Sequence, residues 1–207
     1  MERQAANIIL TGFSGTGKSL VAEEVAQRLN RDFIDTDEEI VKLAGKPIAE
    51  IFQQDGESRF RELEREAIRK VCQQRQTVMA IGGGAIVDPR NYELLTENGV
   101  IICLEAKPET IYQRLFQEAA YGCETEVRPL LANDNPLENI RQLKASRQPY
   151  YANVDWTVHT DELSISQVAE EVIRAWRLLR FARNDIDKDI ACEVKTATQS
   201  YPVFVGW

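Results

Sequence analysis

The sequence predicts a three-layer α/β/α fold built on a five-stranded parallel sheet. Five short, largely apolar runs alternate with segments of helical period, which is typical of parallel strands covered by helices on both faces. In addition, a glycine-rich loop directly follows the first run and opens a helical pattern. The apolar runs are NIILT (7–11), FIDT (33–36), TVMAI (77–81), VIICLE (100–105) and WTVHT (156–160).

The intervening segments predict the covering helices. GKSLVAEEVAQRLN, which follows the first strand, repeats its apolar residues near a 3.6-residue period. GESRFRELEREAIRKV (56–71) has an apolar face, and SISQVAEEVIRAWRLLRF (164–181) predicts the last helix. We therefore expect a domain over residues 1–181. Residues 182–207 begin as a polar linker and end in two strand-like pieces, CEVKTA and SYPVFVG.

Composition narrows the class of protein. The 207 residues carry a formal net charge of −8, which argues against a nucleic-acid surface because phosphate contacts need clustered Lys and Arg. The four cysteines form no CxxC pair, and a single histidine cannot build a zinc site alone. The first apolar run is too short for a signal peptide or a membrane span. We expect a cytoplasmic, monomeric protein with mostly structural, reduced thiols and no membrane partner.

The loop GFSGTGKS (12–19) matches the pattern GxxxxGK[ST] between a strand and a helix. Its backbone N–H groups and the helix N-terminus suit phosphate oxygens. Lys18 is predicted to bridge the β- and γ-phosphates, and Ser19 to ligate Mg²⁺. The loop thus predicts a nucleoside triphosphate site in a P-loop fold. The predicted nucleotide-binding residues here are Gly15, Thr16, Gly17, Lys18, Ser19 and Leu20.

Two carboxylates follow the second strand, at the edge where α/β sites assemble. Asp35 is predicted to hold hydrated Mg²⁺, and Asp37 to accept a hydrogen bond from the attacking hydroxyl. The alternative is that one of them caps the helix DEEIVKLAG.

Arginines and glycines downstream have two interpretations each. Arg61 is either a ligand or a solvated residue paired with Glu57 and Glu64, and helix spacing alone favours the pairing. Arg147, which precedes Pro149 at a predicted helix end, is either a ligand or a cation at a helix C-terminus.

Three glycines follow the third strand, at Gly82, Gly83 and Gly84. They either let a substrate lie directly against the backbone or form a plain turn. Arg128 lies either on a mobile cover, about residues 115–133, or in an ordinary surface loop.

Seven motifs in order resemble the shikimate kinase family over roughly residues 7–180. They are GFSGTGKS, DTDEEI, GKPIAEIF, GESRFRELE, IGGGAI, RPLL and SRQPYY. The resemblance implies a P-loop kinase of the nucleoside-monophosphate-kinase-like type with a mobile lid. It implies transfer of the γ-phosphoryl of ATP to the 3-hydroxyl of shikimate, with Mg²⁺, on the way to chorismate and aromatic amino acids.

The resemblance also implies residue roles. Asp37 would be the base, Arg61 and Arg147 would clamp the carboxylate, and Gly82 to Gly84 would line the ring pocket. Lys18 and Arg128 would stabilise the transferring phosphoryl, and Asp35 with Ser19 would hold the metal. Glu64 matches the acid that holds an arginine in place, and Arg114 matches an adenine-stacking arginine. The stretch before RPLL is longer than usual, which weakens the match at Arg114.

The C-terminal EVKTATQSYPVFVGW resembles the opening of 3-dehydroquinate synthase, which implies a fused pathway enzyme or an association with that protein. The alternative is an independent extension. Two other functions also fit a P-loop: a gluconate-type kinase, and a non-catalytic nucleotide-binding module. The set DTD, FR and GGG favours shikimate over gluconate, and the intact charged residues argue against an idle module.

Overall fold

The predicted five-stranded parallel sheet is confirmed. A computed structural model describes residues 7–120, 135–182, 190–195 and 200–204. The strand order is β2-β3-β1-β4-β5, and every neighbouring pair is parallel. The strands are β1 (Asn7–Thr11), β2 (Asp32–Asp35), β3 (Thr77–Ala80), β4 (Gly99–Glu105) and β5 (Trp156–His159).

Helices cover both faces of this sheet. The segments 18–29 and 56–71 are helical as predicted. The described helices are α1 (Lys18–Leu29), α2 (Thr36–Ala44), α3 (Ile48–Gln54), α4 (Gly56–Val71), α5 (Pro89–Asn98), α6 (Pro108–Ala120), α7 (Pro136–Tyr151) and α8 (Ile165–Ala182). Among them, none combines the length and hydropathy that a membrane span requires.

The central strands are buried on both faces, which explains their unbroken apolar runs. In β1, Ile8 and Leu10 belong to a core under α1 and α8. Ile9, between them, belongs to a second core that includes Ile68 of α4 and Tyr151 of α7. Because β1 lies mid-sheet, the loop that follows it emerges at the centre of the carboxyl edge.

Several predicted boundaries were wrong by a residue, as at the ends of β3 and β5, and two others have a specific physical reason. Thr36 begins α2 instead of ending β2, because the Asp35 carboxylate caps the helix by accepting from the Asp37 N–H at 2.9 Å. Helix α7 continues past Arg147 through Pro149 to Tyr151. Pro149 therefore lies inside the helix, where it lacks the N–H that would bond to the carbonyl four residues earlier.

Two of the cysteines are buried thiols, in agreement with a structural role. Burial raises the pKa of Cys72 to about 11 against the opposing effect of Arg75. Burial, assisted by Glu105, raises the pKa of Cys103 to about 12. Both thiols therefore stay protonated at neutral pH and are poor nucleophiles.

The two strand-like pieces near the C-terminus form β6 (Ile190–Lys195) and β7 (Ser200–Phe204). They pair antiparallel, with Val194 opposite Tyr201. The division of the chain into residues 1–181 and 182–207 stays a prediction.

Candidate active site

The loop between β1 and α1 is folded against the sheet edge. Gly12 has φ 131°, and a Cβ there would lie 2.2 Å from the Leu104 carbonyl oxygen, so only glycine fits. The Phe13 carbonyl accepts from the Thr16 hydroxyl at 2.8 Å and from Lys18 Nζ at 3.0 Å. These hydrogen bonds stabilise the loop and hold the Lys18 side chain against it.

Helix α1 presents its N-terminus to this loop. Gly17 is its N-cap in a left-handed conformation (φ 87°), and no side chain among the described residues caps it. The first N–H groups of a helix lack intrahelical partners and carry partial positive charge. Together with Lys18, they form a site suited to an anion.

A cavity of about 620 Å³ joins this loop to the end of β2. Asp35, Asp37, Glu38 and Lys42 face the loop residues across it. Thr16 does not line this cavity, since the residue is buried and its hydroxyl donates to the Phe13 carbonyl. The predicted residues that line the cavity are Gly15, Gly17, Lys18, Ser19, Leu20, Asp35 and Asp37.

The two residues predicted to bind metal are in direct contact. Ser19 Oγ donates to Asp35 Oδ2 at 2.6 Å, while Asp35 Oδ1 accepts from the Asp37 N–H. The helix-cap alternative therefore holds for Asp35, but its second oxygen faces the loop. The Asp35 carboxylate can therefore cap helix α2 with one oxygen and face the nucleotide cavity with the other.

The glycine triplet, Gly82 to Gly84, lies at the centre of the charged residues. A Cβ on Gly82 would lie 3.1 Å from Asp37 Oδ1 and 3.3 Å from Glu64 Oε1. A Cβ on Gly84 would lie 3.0 Å from Arg61 Nη1 and 3.3 Å from Arg147 Nη2. Two guanidinium groups and two carboxylates thus meet over bare backbone.

Both sequence interpretations of Arg61 describe part of what is seen. It pairs with exposed Glu57 at 2.9 Å and with buried Glu64 at 3.0 Å, yet it also reaches Gly84. Burial lowers the pKa of Arg61, but Glu64 and Glu57 outweigh burial and raise it overall. Arg61 is a fixed cation in this site.

The Glu64 side chain is 2% exposed. Arg61 Nη1 donates to both of its carboxylate oxygens, to Oε1 at 3.2 Å and to Oε2 at 3.0 Å. Burial raises the pKa of Glu64 above its ordinary value, although Arg61 and Arg147 oppose the shift. A buried carboxylate depends on such partners, because an unpaired buried charge is costly.

Arg147 lies over the Phe13 ring, with 5.6 Å between the guanidinium carbon and the ring centroid. It therefore connects the phosphate-binding loop with the glycine triplet. The family resemblance assigned Arg147 and Arg61 to one carboxylate, and the structure brings both guanidinium groups to Gly84.

Three features of the site were not predicted. The Thr36 hydroxyl accepts from the Gly82 N–H, and the Tyr151 hydroxyl donates to the Gly83 carbonyl. Lys144 of α7 pairs with Glu105 at the end of β4. Thr36 and Tyr151 stand within DTD and SRQPYY, but a side chain that binds backbone has no sequence spacing of its own. Lys144 and Glu105 lie 39 residues apart, and no motif connected them.

Arg114 lies at the same sheet edge, where it donates to the Thr160 hydroxyl at 2.9 Å and to the Thr160 carbonyl at 2.5 Å. These bonds fix the guanidinium beside the residue that follows β5. Helix α6 includes residues 115–120 of the predicted lid, whereas Arg128 and the rest of the lid fall outside the described residues.

Comparison with known proteins decides the family. The sequence profile of shikimate kinases matches residues 14–177. The chain belongs to the shikimate kinase family. Within this family, it is 44% identical over 174 residues to the shikimate kinase of Caldanaerobacter subterraneus, covering 84% of this chain and 98% of that relative. It is 42% identical over 174 residues to the Thermoanaerobacter pseudethanolicus enzyme, with the same coverage.

Solved structures agree with the shikimate kinase assignment. The shikimate kinase of Acinetobacter baumannii in complex with shikimate aligns with a TM-score of 0.75 and 30% identity, covering 90% of this chain and 97% of that one. A gluconokinase from Sinorhizobium meliloti aligns with a TM-score of 0.60 but 13% identity, over 89% of this chain and 98% of that one. The second likeness concerns the fold alone.

Proposed function

We propose that this chain is a shikimate kinase, which transfers the γ-phosphoryl group of ATP to the 3-hydroxyl of shikimate and releases ADP. The observation that carries the proposal is the convergence of Arg61 and Arg147 on Gly84, with Asp37 at Gly82. Asp37 also lines the cavity of Lys18 and Ser19, so the acceptor and donor sites adjoin. The shikimate kinase relatives support the same reaction.

The charges suit the acceptor. Shikimate carries one carboxylate and three hydroxyls, and planar guanidinium groups bind a carboxylate with two parallel hydrogen bonds. We assign this carboxylate to Arg61 and Arg147, with Glu64 positioning Arg61. Glycines at 82–84 let the ring approach the backbone, and Asp37 accepts the hydrogen bond of the attacking hydroxyl.

The donor side is suited to phosphoryl transfer. A loose transition state spreads charge over the phosphoryl oxygens, and positioning with positive charge supplies most of the catalysis. We assign Lys18 and the amides of Gly15 to Leu20 to the ATP phosphates. We assign Arg114 to the adenine side of the nucleotide, and Arg128 to the phosphoryl group beside Lys18.

Mg²⁺ is the metal that these side chains fit. A hydroxyl and a carboxylate are hard oxygen donors, and Mg²⁺ usually takes one or two protein ligands plus phosphate oxygens and water. Ser19 and Asp35 supply such a pair at the phosphate end of the cavity. When bound, Mg²⁺ neutralises charge on the β- and γ-phosphates.

Ser19→Ala is expected to raise the Mg²⁺ concentration for half-maximal activity by about tenfold. This is the effect of losing one contact with the free energy of a single hydrogen bond. Activity should be titrated with Mg²⁺ at saturating ATP and shikimate. Ser14→Ala is the matched control, because Ser14 lines the same cavity and has no assigned contact with the metal. Coinciding Mg²⁺ curves for the two variants would remove Ser19 from the metal site.

The reaction itself is tested by measuring ADP release with shikimate and with gluconate side by side. We expect rapid release with shikimate and background release with gluconate. Activity with gluconate alone would favour the gluconate-type kinase. Release with neither would favour a nucleotide-binding module without catalysis.

We further propose that the enzyme acts as a monomer in the cytoplasm, because one chain supplies both substrate sites. We propose too that the C-terminal segment joins or associates with a 3-dehydroquinate synthase-like domain. A hairpin of two strands such as β6 and β7 is marginally stable alone and gains from a partner. Reading the coding sequence past codon 207 tests the fusion, and unrelated sequence there would contradict it.

A further inference from the structure

We propose that Thr36 and Tyr151 are positioning residues, whose hydroxyls fix the backbone of Gly82 and Gly83 and thereby set the affinity for the acceptor. The inference rests on the proposed function, since it concerns the pocket assigned to shikimate. It adds two residues that do not carry charge and are not in the predicted ligand set.

The backbone of the glycine triplet needs hydrogen bonds from other residues to hold one conformation, because three consecutive glycines are flexible. Glycine has more conformational freedom than any other residue, and fixing it costs more entropy. Strand β3 ends at Ala80, and a short 3₁₀ turn begins at Ala85. Backbone bonds hold the two ends, from the Ile81 N–H to the Leu10 carbonyl and from the Ala85 N–H to the Gly82 carbonyl.

Side chains hold the middle of this segment. The Thr36 hydroxyl is fully buried and accepts from the Gly82 N–H at 3.1 Å. Thr36 also stands between Asp35 and Asp37 at the start of α2. One residue therefore fixes Gly82 relative to the helix turn that carries the proposed base.

Tyr151 performs the corresponding task for Gly83. Its side chain is 1% exposed, and its hydroxyl donates to the Gly83 carbonyl at 2.6 Å. The Arg147 guanidinium lies close by, since a Cβ on Gly83 would be 3.5 Å from both Arg147 Nη1 and the Tyr151 hydroxyl oxygen. Tyr151 thus fixes the backbone of the ring pocket directly beside the proposed carboxylate-binding arginine.

The environment keeps this phenol protonated. Burial raises the pKa of Tyr151 well above its ordinary value, against the opposing effect of Arg147. The hydroxyl therefore remains a donor to Gly83 throughout the neutral and mildly alkaline range.

These bonds act before the substrate arrives. A pocket whose backbone is already ordered loses less entropy on binding, so affinity improves without a new contact to the ligand. Loss of one hydroxyl should weaken acceptor binding and leave the nucleotide side almost unchanged. A purely structural role would instead lower thermal stability or the active fraction, without a selective change in one KM.

The decisive variant is Tyr151→Phe, which keeps the ring in the core and removes one oxygen. We expect KM for shikimate to rise about five- to tenfold, as for the loss of one hydrogen bond. KM for ATP and kcat should change less than about twofold on the same grounds. Tyr150→Phe is the matched control, because Tyr150 is the preceding residue and is exposed.

Thr36 gives an independent test if Tyr151→Phe folds poorly. Thr36→Val removes the acceptor at nearly constant volume, and Thr36→Ser restores it. We expect a raised KM for shikimate in Thr36→Val and a near-wild-type KM in Thr36→Ser. Equal KM values in Tyr151→Phe and its control Tyr150→Phe, or in the two Thr36 variants, would overturn the inference. Failure of the wild-type chain to phosphorylate shikimate would instead overturn the proposed function.

Discussion

Asp37→Asn is expected to lower kcat with shikimate by about 10²- to 10⁴-fold, the usual contribution of a positioned general base. Asparagine has nearly the same shape, but its amide cannot take the proton of the attacking hydroxyl. The backbone N–H of residue 37 still bonds to the Asp35 carboxylate, so the start of α2 is preserved. The defect should therefore appear in turnover and leave the fold intact.

The control for this experiment is Glu38→Gln. Glu38 lines the same cavity one residue further along α2, and its side chain is 67% exposed. Glu38→Gln and Asp37→Asn each remove one negative charge from the cavity. A general electrostatic effect on ATP binding would therefore appear equally in both variants. Steady-state ADP release and thermal unfolding should be measured for each.

The result separates two roles of the carboxylate. A fall in kcat for Asp37→Asn alone places the residue at the reacting hydroxyl. A raised KM for shikimate at constant kcat would mean that Asp37 only holds the acceptor, and the assignment as base would be wrong.

Local patterns account for what could be predicted of the fold. The five strands are recognisable because burial on both faces leaves apolar runs, and β1 shows this in Ile8, Ile9 and Leu10. The phosphate-binding loop is recognisable because eight consecutive residues carry its chemistry. The start of α2 was misjudged by a residue because Asp35, Thr36 and Asp37 are all compatible with a cap or a strand end.

The acceptor site could be predicted only in part. On helix α4 alone, Arg61 is indistinguishable from a surface arginine, because its partners Glu57 and Glu64 lie one turn away in either direction. What sets it apart is its distance from Gly84, which belongs to another element. Only the resemblance over several motifs brought Arg61, Gly84 and Arg147 together before the fold was known.

Arg61→Ala is expected to raise KM for shikimate by roughly 30- to 5,000-fold, the range for removing one partner of a buried charge pair. The substrate carboxylate loses its guanidinium, while Lys18 and the nucleotide cavity are unchanged. The effect should therefore be chiefly on acceptor binding, with a smaller change in kcat. Steady-state kinetics with shikimate varied at saturating ATP measure it.

Arg59→Ala is the matched control. Arg59 lies on the same helix, is half exposed, and pairs with Glu62 at the surface. Exposed pairs of this kind contribute little to stability, about 0–1 kcal/mol. An unchanged KM in Arg61→Ala, or an equal change in both variants, would contradict the assignment of Arg61 to the carboxylate.

A second consequence for Arg61→Ala concerns Glu64. Burial already raises the pKa of Glu64, and Arg61 is the main group that opposes this shift, with Arg147 adding to it and Asp88 acting against it. Without Arg61 the native pKa should rise further above the unfolded value. Between those two values the native state binds more protons than the unfolded state, so stability falls as pH rises.

The difference in unfolding free energy between Arg61→Ala and Arg59→Ala should therefore be small at acidic pH and grow towards neutral pH. Urea unfolding of both variants at several pH values measures this difference. A pH-independent difference would mean that Glu64 does not depend on Arg61 for its charge, and that Glu64 positions Arg61 without being stabilised in return.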